Sequence, residues 1–306
     1  MSSRQLQNFE ENRVASRRLP DWLRTSLSVG QEAVRTDALI KEFGLHTICE
    51  SGRCPNRNEC YSQGTATFML MGDICTRSCH FCSVSTGRPE TLDREEPKRV
   101  ADAARILGLK HVVVTSVNRD DLEDEGAGHF AKTLRELKTQ MPGIIIEILT
   151  PDFRRAQARA VQIILKEGPD IFNHNVETVP GLYRRVRPQG DYERSLQIFR
   201  EIRKQSESVL TKSGLMLGLG ETHEEVLAVL KDLRTAGVEF LTLGQYLRSS
   251  ALGLPVEEYI HPDIFLDYKN EAMSLGFTWV ESAPFVRSSF HAKESFEALR
   301  VSLRRN

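Results

Sequence analysis

All six cysteines of this 306-residue chain lie between Cys49 and Cys82, in two groups of three, and none follows. Thiols gathered in this way constrain the fold strongly, because each group has to close around something small. The second group, Cys75-x3-Cys79-x2-Cys82, puts three sulfurs on a loop short enough to wrap one inorganic cluster. Three ligands leave one iron of a 4Fe-4S cluster open, whereas a structural zinc ion normally takes four donors. The first group, Cys49, Cys54 and Cys60, has spacings of five and six and again supplies three, and no seventh cysteine completes either set.

Three disulfides and a zinc-stabilised, non-enzymatic binding module are the competing readings of the same residues. Residues Met1 to Arg18 mix Arg4, Glu10, Glu11 and Arg13 with no apolar run, so no secretory signal is expected. The expected compartment is therefore the reducing cytoplasm, where structural disulfides are rare. With 41 basic and 42 acidic residues the net charge is -1, which gives no general electrostatic footprint for nucleic acid. No apolar run reaches the length of a membrane span.

Buried-strand patterns alternate with helical ones along the middle of the chain. Strands are expected over 66–71, 111–117, 144–149, 171–175, 213–219 and 240–246. Pro97 suits the first turn of a helix whose apolar positions Val100, Ala104 and Leu107 end at Gly108. Thr222 and Glu225 form a capping-box pattern ahead of Val226, Leu230 and Leu233, with Gly237 as the stop. Alternation of this kind implies parallel pairing through right-handed crossovers. Six units predict an α/β fold, a partial (β/α)6 TIM-type barrel spanning 65–248, with an N-terminal extension over 1–64 and a C-terminal extension over 249–306. Chemistry is expected at the strand C-termini, and Cys75 follows the first strand accordingly.

The second cysteine group, with Phe81 before its last member, resembles the cluster loop of radical S-adenosylmethionine enzymes. The stretch Gly214-Leu215-Met216-Leu217-Gly218-Leu219-Gly220-Glu221 is similar to the glycine-rich motif these enzymes place beside the adenine. A narrower resemblance, from about Asp21 to Ala292, is to the lipoyl synthase family. It is carried by Gly44-Leu45-His46-Thr47-Ile48-Cys49-Glu50, Cys54-Pro55-Asn56 and Cys60, by Val114-Thr115-Ser116-Val117 with Arg119-Asp120-Asp121-Leu122, by Phe172-Asn173-His174-Asn175-Val176-Glu177-Thr178, and by Arg287-Ser288-Ser289-Phe290-His291-Ala292. Departures from the family pattern are Phe290 in place of tyrosine, Tyr61 in place of tryptophan, Ser51-Gly52 and Arg57 in the first cysteine loop, and a stretch from Arg248 to Gly253 without lysines.

The resemblance implies a sulfurtransferase that inserts sulfur at carbons six and eight of a protein-bound octanoyl-lysine. It implies two 4Fe-4S clusters. One, on Cys75, Cys79 and Cys82, binds S-adenosyl-L-methionine; the other, on Cys49, Cys54, Cys60 and Ser289, is the sacrificial sulfur donor. Candidate contacts to S-adenosylmethionine are Thr115, Ser116, Asn173, Asn175 and Glu177 at strand ends, with Gly218 and Glu221 in the glycine-rich stretch. His174 reads as a packed core histidine rather than a metal ligand, and Asp120 and Asp121, which as paired carboxylates could serve acid-base work, read beside Arg119 as structural ion-pair partners. Implied partners are an octanoylated lipoyl carrier domain or glycine-cleavage carrier protein, a low-potential electron donor such as ferredoxin or flavodoxin, and an iron-sulfur carrier that reloads the consumed cluster. Arg184, Arg185 and Arg187, and Arg300, Arg304 and Arg305, are candidate contacts for an acidic carrier, read against the alternative of solvated surface charge. Another sulfur-inserting radical enzyme, of the biotin synthase or methylthiolation kind, is the nearest rival.

Overall fold

The computed structural model describes residues 19–24, 30–63 and 65–289. Its ten strands, in chain order, are β1 (His46–Thr47), β2 (Thr67–Leu70), β3 (Ile74–Cys75), β4 (Ser85–Thr86), β5 (His111–Ser116), β6 (Ile145–Leu149), β7 (Ile171–Asn173), β8 (Leu210–Leu217), β9 (Phe240–Gln245) and β10 (Trp279–Ser282). Eight of them form one sheet in the order β1-β2-β5-β6-β7-β8-β9-β10, and β3 pairs with β4 in a separate ribbon. Every neighbouring pair in the large sheet is parallel except β1 with β2. The six expected strands are all present, and helices fill the crossovers between them. The C-terminal extension adds a further unit that the sequence pattern did not announce. Its helix Pro262–Ser274 returns the chain so that β10 joins the sheet parallel to β9.

Local chemistry explains several boundaries. Pro97 sits in the first turn of helix Glu96–Ile106, where its missing N–H costs nothing. The Thr222 hydroxyl accepts from Glu225 N–H while the Glu225 carboxylate accepts from Thr222 N–H, so helix His223–Thr235 starts with the expected capping box. That helix buries Val226, Val229, Leu230 and Leu233 against the sheet. β9 is buried at every position and β5 at all but its last, as strands covered on both faces must be.

One buried carboxylate gathers polar groups from several strands inside the barrel. Glu147 on β6 is fully buried and takes Lys212 Nζ of β8 at 2.9 Å and Asn173 Nδ2 of β7 at 3.1 Å, with His111 Nε2 of β5 3.7 Å away. Four strands are thus tied through one carboxylate, below the level at which the loops open. Met71, just past β2, takes φ +68, a left-handed conformation unfavourable for a side chain of its size. Its N–H donates to both Glu96 carboxylate oxygens, and His129 Nε2 lies 2.6 Å from the same carboxylate. This buried pair fixes the turn from which the second cysteine loop departs.

Candidate active site

A cavity of about 570 Å³ opens at the C-terminal ends of the strands. Five of the six cysteines, Cys49, Cys54, Cys75, Cys79 and Cys82, line it together with Ser289. Cys60 stands behind that lining, beside Cys49 and Cys54, and burial with the two neighbouring thiols pushes its pKa up to about 12. Burial likewise raises Cys82 to about 12 and Cys49 to about 11. Binding of metal by these three thiols therefore has to displace protons that burial favours.

The second cysteine loop is fastened on three sides. The short β3–β4 ribbon closes its base, the His80 N–H donates to the Val186 carbonyl at 2.9 Å, and the Cys82 N–H donates to the Cys79 carbonyl at 3.0 Å. Several N–H groups already point at sulfur. Cys75 Sγ accepts from Arg77 N at 3.4 Å and Asn118 N at 3.3 Å, and Cys82 Sγ accepts from Val84 N at 3.4 Å. Donors of this kind stabilise charge on cluster sulfurs and tune the cluster's reduction potential. Among the described residues, no three His, Cys, Asp or Glu side chains converge as ligands of a single ion. Both thiol groups instead border open volume.

The donor set suits iron and sulfide, and the rest of the wall suits a polar small molecule. Ser116 Oγ, Asn175 Oδ1 and His174 Nε2 are buried without a hydrogen-bond partner, and all three residues line the cavity. Buried polar atoms are nearly always satisfied by protein, water or ligand, so these three fit a polar small molecule in the cavity. His174 Nδ1 donates to the Thr150 carbonyl at 2.8 Å, and burial, reinforced by Arg187, lowers its pKa to about 4. The imidazole is neutral, consistent with the core packing expected of it, and it forms part of the cavity wall as well. Glu177, at φ +68, is pushed up by burial and drawn back by Arg187.

The remaining candidates separate clearly. Thr115 lines the cavity, with its hydroxyl donating to the Leu149 carbonyl at 3.0 Å, and Glu177 lines it as well. Asn173 is directed elsewhere, into the Glu147 cluster below. Gly218 and Glu221 do not line the cavity either. The Glu221 carboxylate accepts from Gly218 and Leu219 N–H groups and caps that turn, and a Cβ on Gly218 would come within 2.3 Å of Gln245 Nε2 and the Glu258 carbonyl. Packing of the loop thus accounts for Gly218. The glycines that border the cavity are Gly52, Gly214 and Gly244.

Side chains that the sequence pattern had not placed at the site also line it, Asn118, Arg187 and Arg77 among them. Asn118 meets Cys75 and follows the end of β5, a position that could have singled it out. Arg187 leaves the expected surface cluster: it is 8% exposed, lines the cavity and donates to the Asn175 carbonyl at 3.0 Å. Arg184 remains exposed and Arg185 pairs with Glu257. Arg77 binds Asp120 and Asp152, so Arg119 forks onto Asp121 alone, at 2.9 and 2.8 Å. Phe290, His291 and Ala292, and the basic group Arg300, Arg304 and Arg305, lie outside the described residues.

The C-terminal motif is laid across the mouth by contacts from three separate elements. Asn56 Nδ2 donates to the Phe285 carbonyl at 2.7 Å, Asn175 Nδ2 to Ser288 Oγ at 2.5 Å, and Thr67 Oγ1 to Ser289 Oγ at 2.9 Å. Gly244 permits this approach, since a Cβ there would sit 2.1 Å from the Val286 carbonyl oxygen. Gly244→Ala is expected to cost about 1–3 kcal/mol through overpacking and to displace the segment bearing Ser289. Thermal unfolding together with iron content after anaerobic reconstitution checks this; wild-type values for both would contradict it.

Comparison with known proteins follows the same division. The model of the Radical SAM superfamily matches residues 69–233, and that of the N-terminal domain of lipoyl synthase of the Radical SAM family matches residues 3–54. Lipoyl synthase of Caldanaerobacter subterraneus subsp. tengcongensis is 52% identical over 275 residues, covering 90% of this chain and 96% of that protein. Lipoyl synthase of Alcanivorax borkumensis is 49% identical over 286 residues, covering 94% and 88%. Among solved structures, methylornithine synthase superposes with a TM-score of 0.54 at 14% identity over 83% of this chain and 86% of that one, a likeness of fold alone. Half-identity along nine-tenths of the sequence, over a barrel whose cavity brings together both cysteine sets, means that this chain belongs to the lipoyl synthase family of radical S-adenosylmethionine enzymes.

Proposed function

We propose that this chain inserts two sulfur atoms, at carbons six and eight, into an octanoyl-lysine carried on a lipoyl carrier domain or a glycine-cleavage carrier protein. A single cavity bordered by both cysteine groups and Ser289 is the observation that carries this reading. Membership of the family brings one 4Fe-4S cluster and S-adenosylmethionine; Cys75, Cys79 and Cys82 are the residues we assign to hold them. Cys49, Cys54, Cys60 and Ser289 are assigned to a second 4Fe-4S cluster that serves as the sulfur source. When bound, these groups supply homolytic hydrogen removal and sulfur, which side chains cannot, because a saturated carbon offers no proton to a general base.

The protein's own work is binding, orientation and exclusion of water. Ser116, Asn175, Glu177 and Arg187 present polar groups of both kinds to S-adenosylmethionine, and Thr115 stiffens the strand end beside them. Met69, Leu215, Met216 and Val286 give the cavity the apolar wall that an eight-carbon chain needs. In this reading the first extension and the tail each contribute ligands, and the barrel over 65–248 holds the radical chemistry. A low-potential donor such as ferredoxin or flavodoxin supplies electrons, and an iron-sulfur carrier reloads the second cluster. The six free thiols suit a reducing cytoplasm, and no helix among the described residues is long and apolar enough to cross a membrane.

Mass spectrometry of an octanoylated carrier peptide, incubated anaerobically with reductant and S-adenosylmethionine, tests the reading. The expected product has gained two sulfurs with no net change in hydrogen as the dithiol formed under reductant, and it loses two hydrogens when oxidised afterwards to the cyclic disulfide. An unmodified peptide from protein that carries about eight iron atoms per chain, the content of two 4Fe-4S clusters, would refute it.

A further inference from the structure

We propose that Thr67 is a positioning residue for the second cluster, joining Ser289 to the first cysteine group through its hydroxyl. This rests on the assignment of Ser289 as a ligand above. Thr67 opens β2, is 4% exposed and lines the cavity beside Cys49 and Ser289. Its hydroxyl donates to Ser289 Oγ at 2.9 Å, across 222 residues of chain. Its backbone and hydroxyl are also the polar groups set against the Cys49 thiol. The Thr65 N–H donates to the Cys60 carbonyl at 2.8 Å, so the chain that leaves the first cysteine group runs straight into this threonine. Pairing of Thr67 with Val113 anchors it in the parallel sheet. One rigid strand end therefore touches Cys49, follows Cys60 and holds Ser289, the three parts that have to arrive together.

Thr67 has a specific task to perform. Ser289 lies on a segment that reaches the site by crossing the mouth, and its hydroxyl on a free rotamer would sample positions away from the cysteines. The Thr67 donor selects one rotamer before any metal is present. An oxygen that binds metal as an anion also accepts this hydrogen bond more strongly, since charge-assisted bonds are about twice as strong as neutral ones. Valine has the same shape and lacks the donor, so Thr67→Val removes the bond and leaves the packing.

The test uses the full chain, reconstituted anaerobically with both clusters, in wild-type, Thr67→Val, Thr67→Ser and Ser289→Ala forms. The readouts are the Mössbauer spectrum and the rate at which a chelator removes iron before any turnover. Thr67→Val should keep the iron and sulfide content and the S-adenosylmethionine cleavage of the other cluster, while the oxygen-ligated iron signature weakens and half of the iron leaves about tenfold faster, the ratio that one lost hydrogen bond to a charged group gives. Thr67→Ser, which keeps the donor, should behave as wild type. If Thr67→Val matches wild type in both readouts while Ser289→Ala alters them, the positioning role is overturned and Ser289 stands. If Ser289→Ala also matches wild type, its assignment as a ligand fails and the role of Thr67 falls with it. A Thr67→Val chain that loads neither cluster, with Thr67→Ala doing the same, would assign Thr67 to folding and overturn the proposal.

Discussion

Alanine at Cys60 and alanine at Cys79 are expected to disable the protein in two different ways. Each variant should load about four iron atoms in place of about eight, because each removes one cluster. Cys79→Ala should lose cleavage of S-adenosylmethionine altogether and with it all product, since nothing else in the chain can activate a saturated carbon. Cys60→Ala should keep that cleavage, because Cys75, Cys79 and Cys82 and the N–H groups donating to Cys75 and Cys82 are untouched, and should yield no sulfur-containing product. Product falls in both variants by at least about a thousandfold, a loss expected when an essential group is removed outright. Assay of 5'-deoxyadenosine beside product separates the two. Sulfur insertion at wild-type rates by Cys60→Ala would end the two-cluster reading.

The second large effect lies in stability. Arg77 is 4% exposed and lines the cavity between Cys75 and Cys79, with its guanidinium taken up by carboxylates. It forks onto Asp120 at 2.8 and 2.6 Å and reaches Asp152 at 2.7 Å, while Arg194 holds the other Asp152 oxygen at 2.8 Å. The cluster loop, the loops after β5 and β6, and helix Tyr192–Gln205 are locked by this one network. Arg77→Leu should cost about 3–5 kcal/mol, the range for removing one member of a buried ionic group and leaving its partners unpaired. Arg77→Lys should recover only part, since an ammonium cannot fork onto a carboxylate. Burial pushes the Asp152 carboxyl up, but the surrounding positive groups, Arg77 foremost, together more than offset it and hold the group below its ordinary 3.8. A depressed folded-state pKa contributes stability above the unfolded value and loses it as pH falls through the folded one. The gap between wild type and Arg77→Leu should therefore be widest at neutral pH and close below about pH 4. Anaerobic denaturant unfolding across that range measures it, and a gap that does not vary with pH would mean the cost is one of packing alone.

Much of this molecule was legible in the sequence. The strand patterns placed the six barrel strands, and the Thr222 capping box and the Gly237 stop set a helix that begins and ends where expected. These are local matters of periodicity and end chemistry, and the residues that decide them are neighbours in the chain. The unit ending in β10 was missed because the four residues Trp279–Ser282 show little pattern by themselves and become a strand only by lying against β9.

The site divides along the same line. The cysteine spacings and the family motifs singled out, without any coordinates, the cysteines and Ser289 that border the cavity or stand beside it. Which polar groups face the cavity was a different matter: Asn173 and Asn175 are two residues apart, a spacing that would put both on one face of a continuous strand, but β7 ends at Asn173, so Asn173 serves the Glu147 cluster and Asn175 meets Ser288 at the cavity. Likewise Arg184 and Arg187 are three apart, and only Arg187 turns inward.

By itself the sequence determined the kind of chemistry and the barrel that supports it, because thiol spacing and hydrophobic period are properties of short stretches. Only the tertiary structure decided that Thr67, Asn56 and Asn175 draw the far end of the chain across the opening, and that Arg77 anchors the loop rather than touching a ligand. Those contacts join residues from 75 to 229 positions apart. A hydrogen bond or ion pair of that span exists only once the sheet has brought its strands into register.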